Sequence, residues 1–455
     1  MTLLSISGTP LVVLLLGVTL LVGFGADWLA HRFRVPDVLW LIALGIVVGP
    51  LLGLLSPSPF LALAPTLGVA TLILILFDAG LDLKLSVVRP LAGPAVAFAV
   101  ASYLGSTALL FVVGDLFLFP GATVLSLLFG TALGCTSGAI VIPIAARVGL
   151  PPGLRGVVQL EAAIEDALAV VAVTTVLALL AAPHGSVALS LTAALLLPFP
   201  VGIALGLVAG LLCLFFLYDW QERPFAALAT LGFVFVLYAG AEALGGSGIL
   251  AALVMGAVLA NAEAFRPILR QRRPFHVAAE LRKVEVEIAF VLRAFFLFLV
   301  GLFVSLSNPG LWAGLAIVGL VVGLFALRLG AARAATGGPS LPKEWAAPLA
   351  GLCGRGLTSA VLLLVALEKV PGVQRLLLPA LLVIVGTNVG MTVGLWARAP
   401  PAPPEPAIAE TERRWAAVAA QLVTLDADDR PPLPGGGLRI PEPERDGPPR
   451  ARPQA

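Results

Sequence analysis

The sequence has 455 residues, of which 59% are hydrophobic and only 12% are charged. Soluble domains average about 25% charged residues, so this composition excludes an ordinary soluble protein. The net charge of +2 indicates no nucleic-acid partner, because the basic residues lie in a tail and in loops between apolar runs. Those runs are about 20 residues long, the length that crosses a bilayer, so we expect an all-α polytopic membrane protein.

Proline, glycine and charged residues divide the apolar runs into about thirteen candidate transmembrane helices. They are 10–29, 38–55, 60–81, 92–114, 122–146, 154–182, 187–217, 224–242, 247–262, 287–305, 311–331, 346–367 and 375–397. Residues 1–398 are therefore predicted to form the transmembrane domain. Residues 399–455 are rich in Pro, Arg and Glu, which predicts a largely disordered tail. The three cysteines have no paired spacing, and the sequence predicts neither a resident metal nor a cofactor.

The basic residues of the loops indicate the orientation of the chain. Sixteen Lys and Arg residues fall in one alternate set of connections, whereas the opposite set holds only Lys369 and Arg375. Cytoplasmic loops carry the excess of Lys and Arg. We therefore expect the N-terminus outside and the tail in the cytoplasm.

Spans five and twelve contain Gly-rich polar interruptions, at residues 134–138 and 351–359. Glycine destabilises a helix interior by about 1 kcal/mol relative to alanine. Unwound backbone at membrane depth persists only where protein or a water-filled cavity satisfies it. The alternative is that these glycines serve only close helix packing.

The two interrupted spans occupy matching places in two sets of six, spans 1–6 and 8–13. With one span between the sets, the second copy runs through the membrane in the opposite sense. The sequence thus predicts two inverted six-helix repeats, with discontinuous helices 5 and 12 crossing at an ion site near the midplane.

Span six carries three acids, Glu161, Glu165 and Asp166, in an otherwise apolar stretch. One charge at the bilayer centre costs about 2.5–3.5 kcal/mol on insertion scales, so three acids together indicate a function. Glu161 and Glu165 share a helix face, and one of two such close acids is expected to hold a proton. Asp166 lies near mid-membrane and can bind either a proton or a metal cation. The alternative is that the acids only pair with basic residues of other helices.

Two further charges fall within predicted spans. Arg355 lies in the second interruption and needs an acidic partner, for which Asp78 in span three is the leading candidate. We interpret that pair as structural. Arg328 either pairs with an acid of the site, offsets the charge of the helix breaks or extends toward the interface. It is a candidate modulatory residue.

An ordered set of motifs resembles the monovalent cation:proton antiporters of the sodium/proton exchanger type. Besides the broken span five and the acidic span six, they are 77–81 (Phe-Asp-Ala-Gly-Leu), 246–252 (Gly-Ser-Gly-Ile-Leu-Ala-Ala), 295–302 (Phe-Phe-Leu-Phe-Leu-Val-Gly-Leu) and 354–360 (Gly-Arg-Gly-Leu-Thr-Ser-Ala). The resemblance covers nearly the whole membrane region. It implies secondary active transport by an elevator-like shift of a core domain against a dimerisation domain, and hence a homodimer in the cell (inner) membrane.

The same resemblance assigns roles to individual residues. It implies that Asp166 is the ion and proton carrier, that Glu161 is the first acid of the span-six motif and that Thr136 is a ligand. The motif departs from the family pattern in three places: Ser137 stands where the family has Asp, Ala162 where it has Ser, and Glu165 where it has Asn. Relatives with two adjacent acids in span six are electrogenic and those with Asn-Asp are electroneutral, so the coupling ratio stays open.

The leading hypothesis is exchange of Na+ or K+ for H+ by alternating access, with Asp166, Glu161, Glu165, Thr136 and Ser137 at the site. The alternative is a potassium efflux channel-like system without strict proton coupling. Many such systems carry a cytoplasmic nucleotide-binding domain, and the short Pro-rich tail offers no Gly-rich strand–turn–helix for one. An enzyme is not expected, because the three histidines all fall in loops and form no Ser/His pair.

Overall fold

The computed structural model describes ten stretches of the chain. They are residues 17–26, 37–55, 64–83, 91–181, 197–220, 225–265, 279–304, 310–338, 341–367 and 369–396. These stretches consist of helices, turns and short connections and contain no β-strand. The predicted tail, 399–455, lies outside the described residues.

The helices are numbered here in chain order. They are α1 (Gly17–Ala26), α2 (Asp37–Ile46), α3 (Ala64–Asp82), α4 (Ala92–Val113), α5 (Thr123–Leu133), α6 (Gly138–Arg147), α7 (Pro152–Ala181), α8 (Pro198–Trp220), α9 (Ala226–Ala243), α10 (Gly248–Ala260), α11 (Ala262–Phe265), α12 (Ala279–Phe303), α13 (Leu311–Thr336), α14 (Ala346–Gly351), α15 (Leu357–Leu367) and α16 (Gln374–Trp396).

The all-helical membrane fold predicted from the sequence is confirmed. A helix lies in each predicted span, and seven stretches of the described residues are long and apolar enough to cross a membrane. Those seven are Ala92–Leu118, Thr123–Ala145, Pro198–Leu217, Ala226–Ala243, Lys283–Phe303, Leu311–Thr336 and Gln374–Gly394. The count of thirteen spans and the inversion of the repeats stay predictions.

The helices pack as two bundles. In the first bundle, α3 lies against α10 and α12, α10 lies against α8 and α9, and α12 lies against α2. In the second bundle, α4 packs against α5, α7 and α13, while α6 packs on α7 and α13 packs on α14 and α16. Helix α15 joins the second bundle through α5 and α7 and also reaches α3 of the first. The two groups also contact each other, chiefly where α15 meets α3, and one buried hydrophobic core runs through helices of both.

Glycines bring helix backbones into direct contact inside the first bundle. A Cβ on Gly80 of α3 would overlap the carbonyl oxygen of Leu253 of α10. A Cβ on Gly256 of α10 would likewise overlap the carbonyl oxygen of Phe77. Small residues allow this close approach between membrane helices, whose association depends on van der Waals packing. The first bundle is therefore held by backbone-level contacts.

Both predicted interruptions are present. Helix α5 ends at Leu133 and α6 begins at Gly138, and α14 ends at Gly351 before α15 begins at Leu357. The two breaks touch, because the backbone N–H of Ser137 donates to the carbonyl oxygen of Gly354 over 2.8 Å. These segments are unwound, so their glycines do more than permit close helix packing.

Candidate functional site

The three acids of span six lie on α7, and all three side chains are fully buried. Helix α7 belongs to the second bundle and contacts α4, α5 and α6. The acids therefore face protein, where each one needs a compensating partner. The three acids have different surroundings.

Glu161 forms an ion pair with Arg328 of α13, with 2.6 Å between Glu161 Oε1 and Arg328 Nη1. The guanidinium also donates from Nε to the carbonyl oxygen of Leu349 over 2.9 Å and from Nη1 to Ser102 Oγ over 3.1 Å. It lies over the ring of Phe98. Of the alternatives considered for Arg328, the structure shows pairing with an acid of the cluster.

Glu165 contacts the first helix break. Its Oε2 accepts hydrogen bonds from the backbone N–H of Thr136 over 2.7 Å and from Thr136 Oγ1 over 2.8 Å. Its other oxygen lies 3.9 Å from Arg328 Nη1. Unwinding of the helix leaves the N–H of Thr136 without a backbone acceptor. The Glu165 carboxylate accepts from it instead, in a strong, charge-assisted hydrogen bond.

Asp166 has no ion pair among the described residues, and both its oxygens are buried. Its polar neighbours are Thr358, Cys135 and the N–H of Gly138, none of them in well-formed hydrogen-bond geometry. A Cβ built on Gly138 would lie 3.6 Å from Asp166 Oδ2, so the carboxylate lies against the first residue of α6. Thr358, in the first turn of α15, is also a near neighbour. The positive ends of two half-helices therefore flank this acid and stabilise a negative charge there.

The two helices that end at the breaks, α5 and α14, are each capped at the C-terminal end by an arginine. Arg355 Nε donates to the carbonyl oxygen of Leu133, at the end of α5, over 2.6 Å. Arg328 Nε donates to that of Leu349, near the end of α14. In an unbroken helix these carbonyls would accept from the residues four positions on. Those N–H groups, of Ser137 and Cys353, donate elsewhere, to Gly354 and Gly351.

The predicted pairing of Arg355 with Asp78 stays a prediction. The guanidinium of Arg355 donates to the Leu133 carbonyl, to Ser106 Oγ over 3.0 Å, and to the carbonyl oxygen and Sγ of Cys353 over 3.3 and 3.1 Å. The unwound segments free carbonyl oxygens close to this guanidinium. Asp78 lines the cavity between the bundles.

Ser137, predicted at the site, is buried in the first break. Its N–H reaches Gly354, and its hydroxyl has no hydrogen-bond partner among the described residues. Ala162, which replaces the serine of the family motif, is also next to Gly138. The structure thus brings together five of the predicted site residues, Glu161, Glu165, Asp166, Thr136 and Ser137, and their role in binding ions stays a prediction.

A cavity of about 550 Å³ lies between the two bundles. Its walls come from α1, α3 and α12 of the first bundle, where α1 packs against α12, and from α6 of the second. Charged residues in its lining are Asp78, Glu287 and Arg293. Gly138 lines the cavity as well, and Asp166 lies directly behind it. The cavity therefore approaches the acid that has no partner.

A model of the sodium/hydrogen exchanger family, transmembrane region, matches residues 16–399. The chain belongs to this family. Membership confirms the resemblance inferred from the ordered motifs and places the chain among multi-pass membrane transporters and not among enzymes.

The chain is similar to "Na(+)/H(+) antiporter 1" of Methanocaldococcus jannaschii, with 24% identity over 165 residues, 36% of this chain and 39% of that protein. It is also similar to "K(+)/H(+) antiporter NhaP2" of Shewanella sp. strain ANA-3, with 28% identity over 239 residues, 51% of this chain and 41% of that protein. The chain thus spans about two fifths of the length of the curated relatives that it matches.

Among solved structures, the sodium proton antiporter MjNhaP1 of Methanocaldococcus jannaschii at pH 8 matches with a TM-score of 0.69 and 18% identity. The match covers 83% of this chain and 98% of that one. The exchanger family's fold is therefore present.

Sequence analysis missed polar residues of α4 and α16 that contact the charged side chains of the candidate site. Ser102 and Ser106 of α4 each accept from one of the two buried arginines. Asn388 of α16 donates to the carbonyl oxygen of Arg355 over 2.6 Å. The spacing of the two serines, one helical turn apart in an apolar helix, was the available signal.

Proposed function

We propose that this chain is a secondary active antiporter that exchanges a monovalent cation, Na+ or K+, for H+, with Asp166 as the carrier. The observation that carries the proposal is a fully buried carboxylate for which the described residues provide no ion pair, beside a cavity between two helix bundles. A polar group is stable in such a place only if something else compensates its charge. Membership of the exchanger family and relatives named as Na+/H+ and K+/H+ antiporters support this reading.

The chemistry follows from competition for one carboxylate. Asp166 holds either a proton or a metal cation, because binding one neutralises the charge that attracts the other. Alkali cations prefer hard oxygen ligands, as other hard cations do. The unpartnered Ser137 hydroxyl, in the break against which Asp166 lies, is the first candidate for a further ligand.

Alternating access is proposed to arise from an elevator-like shift of the second bundle along the first. The acids, both arginines and both helix breaks all belong to the second bundle. The first bundle is held by backbone-level glycine contacts and forms much of the cavity wall. A rigid support and a separate ion-carrying unit are the parts that such a shift requires.

We further propose that the chain is a homodimer in the cell membrane, with its N-terminus outside and its C-terminal tail in the cytoplasm. The distribution of Lys and Arg among the loops supports the orientation. The family resemblance supports the dimer, which a mass measurement on purified particles in detergent tests directly.

The experiment on the carrier uses Asp166→Asn in inverted membrane vesicles. Adding Na+, K+ or Li+ is expected to dissipate a preformed pH gradient with the natural chain and not with the variant. Glu344→Gln is the matched control, because that acid is exposed and lies in a short 3-10 turn away from the site. Normal exchange by Asp166→Asn would refute the assignment, and a cation current without proton flux would favour the channel-like alternative.

A further inference from the structure

The buried charges of the second bundle form an odd set. Its described residues include five fully or nearly fully buried charged side chains, namely Glu161, Glu165, Asp166, Arg328 and Arg355. Three acids face two guanidiniums, so the set carries one net negative charge when all five are ionised. One proton or one monovalent cation brings this set to neutrality.

Two of the three acids already have partners. Glu161 is ion-paired to Arg328, and Glu165 binds both donors of Thr136 while its other oxygen faces the same arginine. Arg355 is the remaining positive charge, and the hydrogen bonds described for its guanidinium all go to neutral acceptors. The single charge that needs an outside partner is therefore on Asp166.

Glu165 also replaces a backbone acceptor of the first break. The N–H of Ser137 reaches Gly354 and the carbonyl of Leu133 reaches Arg355, so both have partners from the second break. The N–H of Thr136 has only the Glu165 carboxylate. Release of that carboxylate to bind a cation would leave a buried N–H unsatisfied beside the carrier.

We propose that Glu165 is a positioning residue that fixes the first helix break against α7, and that Asp166 alone exchanges ions. The inference rests on the proposed antiport function and goes beyond it. It follows that one monovalent cation is exchanged for one proton and that the exchange is electroneutral, although two acids are adjacent in the chain. The loaded buried set is neutral with either substrate, whereas the empty set carries a charge, and this difference opposes movement of the empty carrier.

The test measures cation-driven proton flux in proteoliposomes with and without an imposed membrane potential. The potential is set by a gradient of a permeant anion, so that no transported cation is needed to establish it. The natural chain is expected to exchange at the same rate at either potential. Glu165→Gln keeps an oxygen acceptor for Thr136 and should still exchange one cation for one proton at a rate independent of potential, but the loss of one negative charge from the buried set should raise the apparent KM for the cation.

Two further variants test the positioning role. Glu165→Ala removes the acceptor, and Glu165→Asp keeps the charge on a side chain too short to reach Thr136 in the same way. Loss of a hydrogen bond of this kind predicts roughly a tenfold rise in the apparent KM for both variants. Both should remain potential-independent, and Glu344→Gln should match the natural chain.

The inference is overturned if a potential that is negative inside accelerates the natural chain, and Glu165 carries the extra charge if Glu165→Gln loses that acceleration. It is also overturned if Glu165→Asp keeps the natural KM, since the contact with Thr136 would then not position the break. Failure of the antiport function itself looks different, because no cation-driven flux would then occur at any potential. If Glu165→Gln does not fold, the potential dependence of the natural chain still decides the ratio.

Discussion

At the scale of single residues, the buried arginines determine what the acids can do. Arg328 neutralises Glu161 and caps the carbonyl of Leu349, so one side chain serves two elements. A buried ion pair adds little stability compared with an apolar pair of similar volume, but removing one partner leaves an uncompensated charge. Loss of Arg328 alone would therefore leave the Glu161 carboxylate buried without a compensating charge.

Arg328→Met should lower the free energy of unfolding by about 3–5 kcal/mol, the usual effect of breaking a buried pair. The measurement is thermal unfolding of the detergent-solubilised protein. Arg333→Met on the same helix is the control, because Arg333 is exposed. Adding Glu161→Met to Arg328→Met should restore much of the lost stability. A double variant no more stable than Arg328→Met would show that the buried pair is not the cause of the loss.

The residues that carry charge were predictable from the sequence, but one of their partners was not. Acids in an apolar helix are conspicuous in any sequence, and Glu161, Glu165 and Asp166 do lie together. One acceptor of Arg355 was missed because sequence analysis considered only ionised partners. The acceptor is a backbone carbonyl, of Leu133, that becomes available only once the helix unwinds.

At the scale of helices, hydropathy predicted where the membrane segments lie better than where the helices end. Span ten was predicted to begin at residue 287, but α12 begins at Ala279. The added residues include Glu, Leu, Arg and Lys, which interrupt an apolar run and yet are good helix formers. The π-helical turns at Val47–Leu51 and Gly114–Leu118 gave no signal that the sequence analysis used.

Gly80→Ala should destabilise the protein by roughly 1–3 kcal/mol, the usual effect of overpacking, because its methyl group would overlap the backbone of α10. Gly319→Ala in α13 is the control, because a Cβ there meets nothing within 4 Å. The readout is the yield of monodisperse protein and its unfolding temperature. Equal values for the two variants would show that α3 and α10 are not in backbone contact.

At the scale of the whole molecule, the division into two bundles could not be predicted. Helix order along the chain does not indicate which helices pack together, and α2 lies against α12 although more than 200 residues separate them. The matching breaks did predict where the site would form. Sequence patterns thus located the chemistry, whereas the supporting surface and the cavity required the structure.

Ala139→Cys tests whether the cavity leads to the carrier. Ala139 lines the cavity next to Gly138, and the three native cysteines are buried. A membrane-impermeant thiol reagent should reduce exchange several-fold, and for the proposed orientation only from the cytoplasmic side. Glu344→Cys, exposed and away from the cavity, should be labelled from that side without loss of exchange. Labelling of Ala139→Cys without inhibition would show that the cavity is not part of the transport route.

The hydrogen bond between Ser137 and Gly354 also has a consequence for biosynthesis. The first break depends on groups that the ribosome adds more than 200 residues later, since Leu133 needs Arg355 and Ser137 needs Gly354. Until then the first half holds unpaired backbone groups at membrane depth, where each costs several kcal/mol. A chain truncated before α14 should therefore insert but stay open to quality-control proteases, and co-expression of the missing half as a separate polypeptide should protect it.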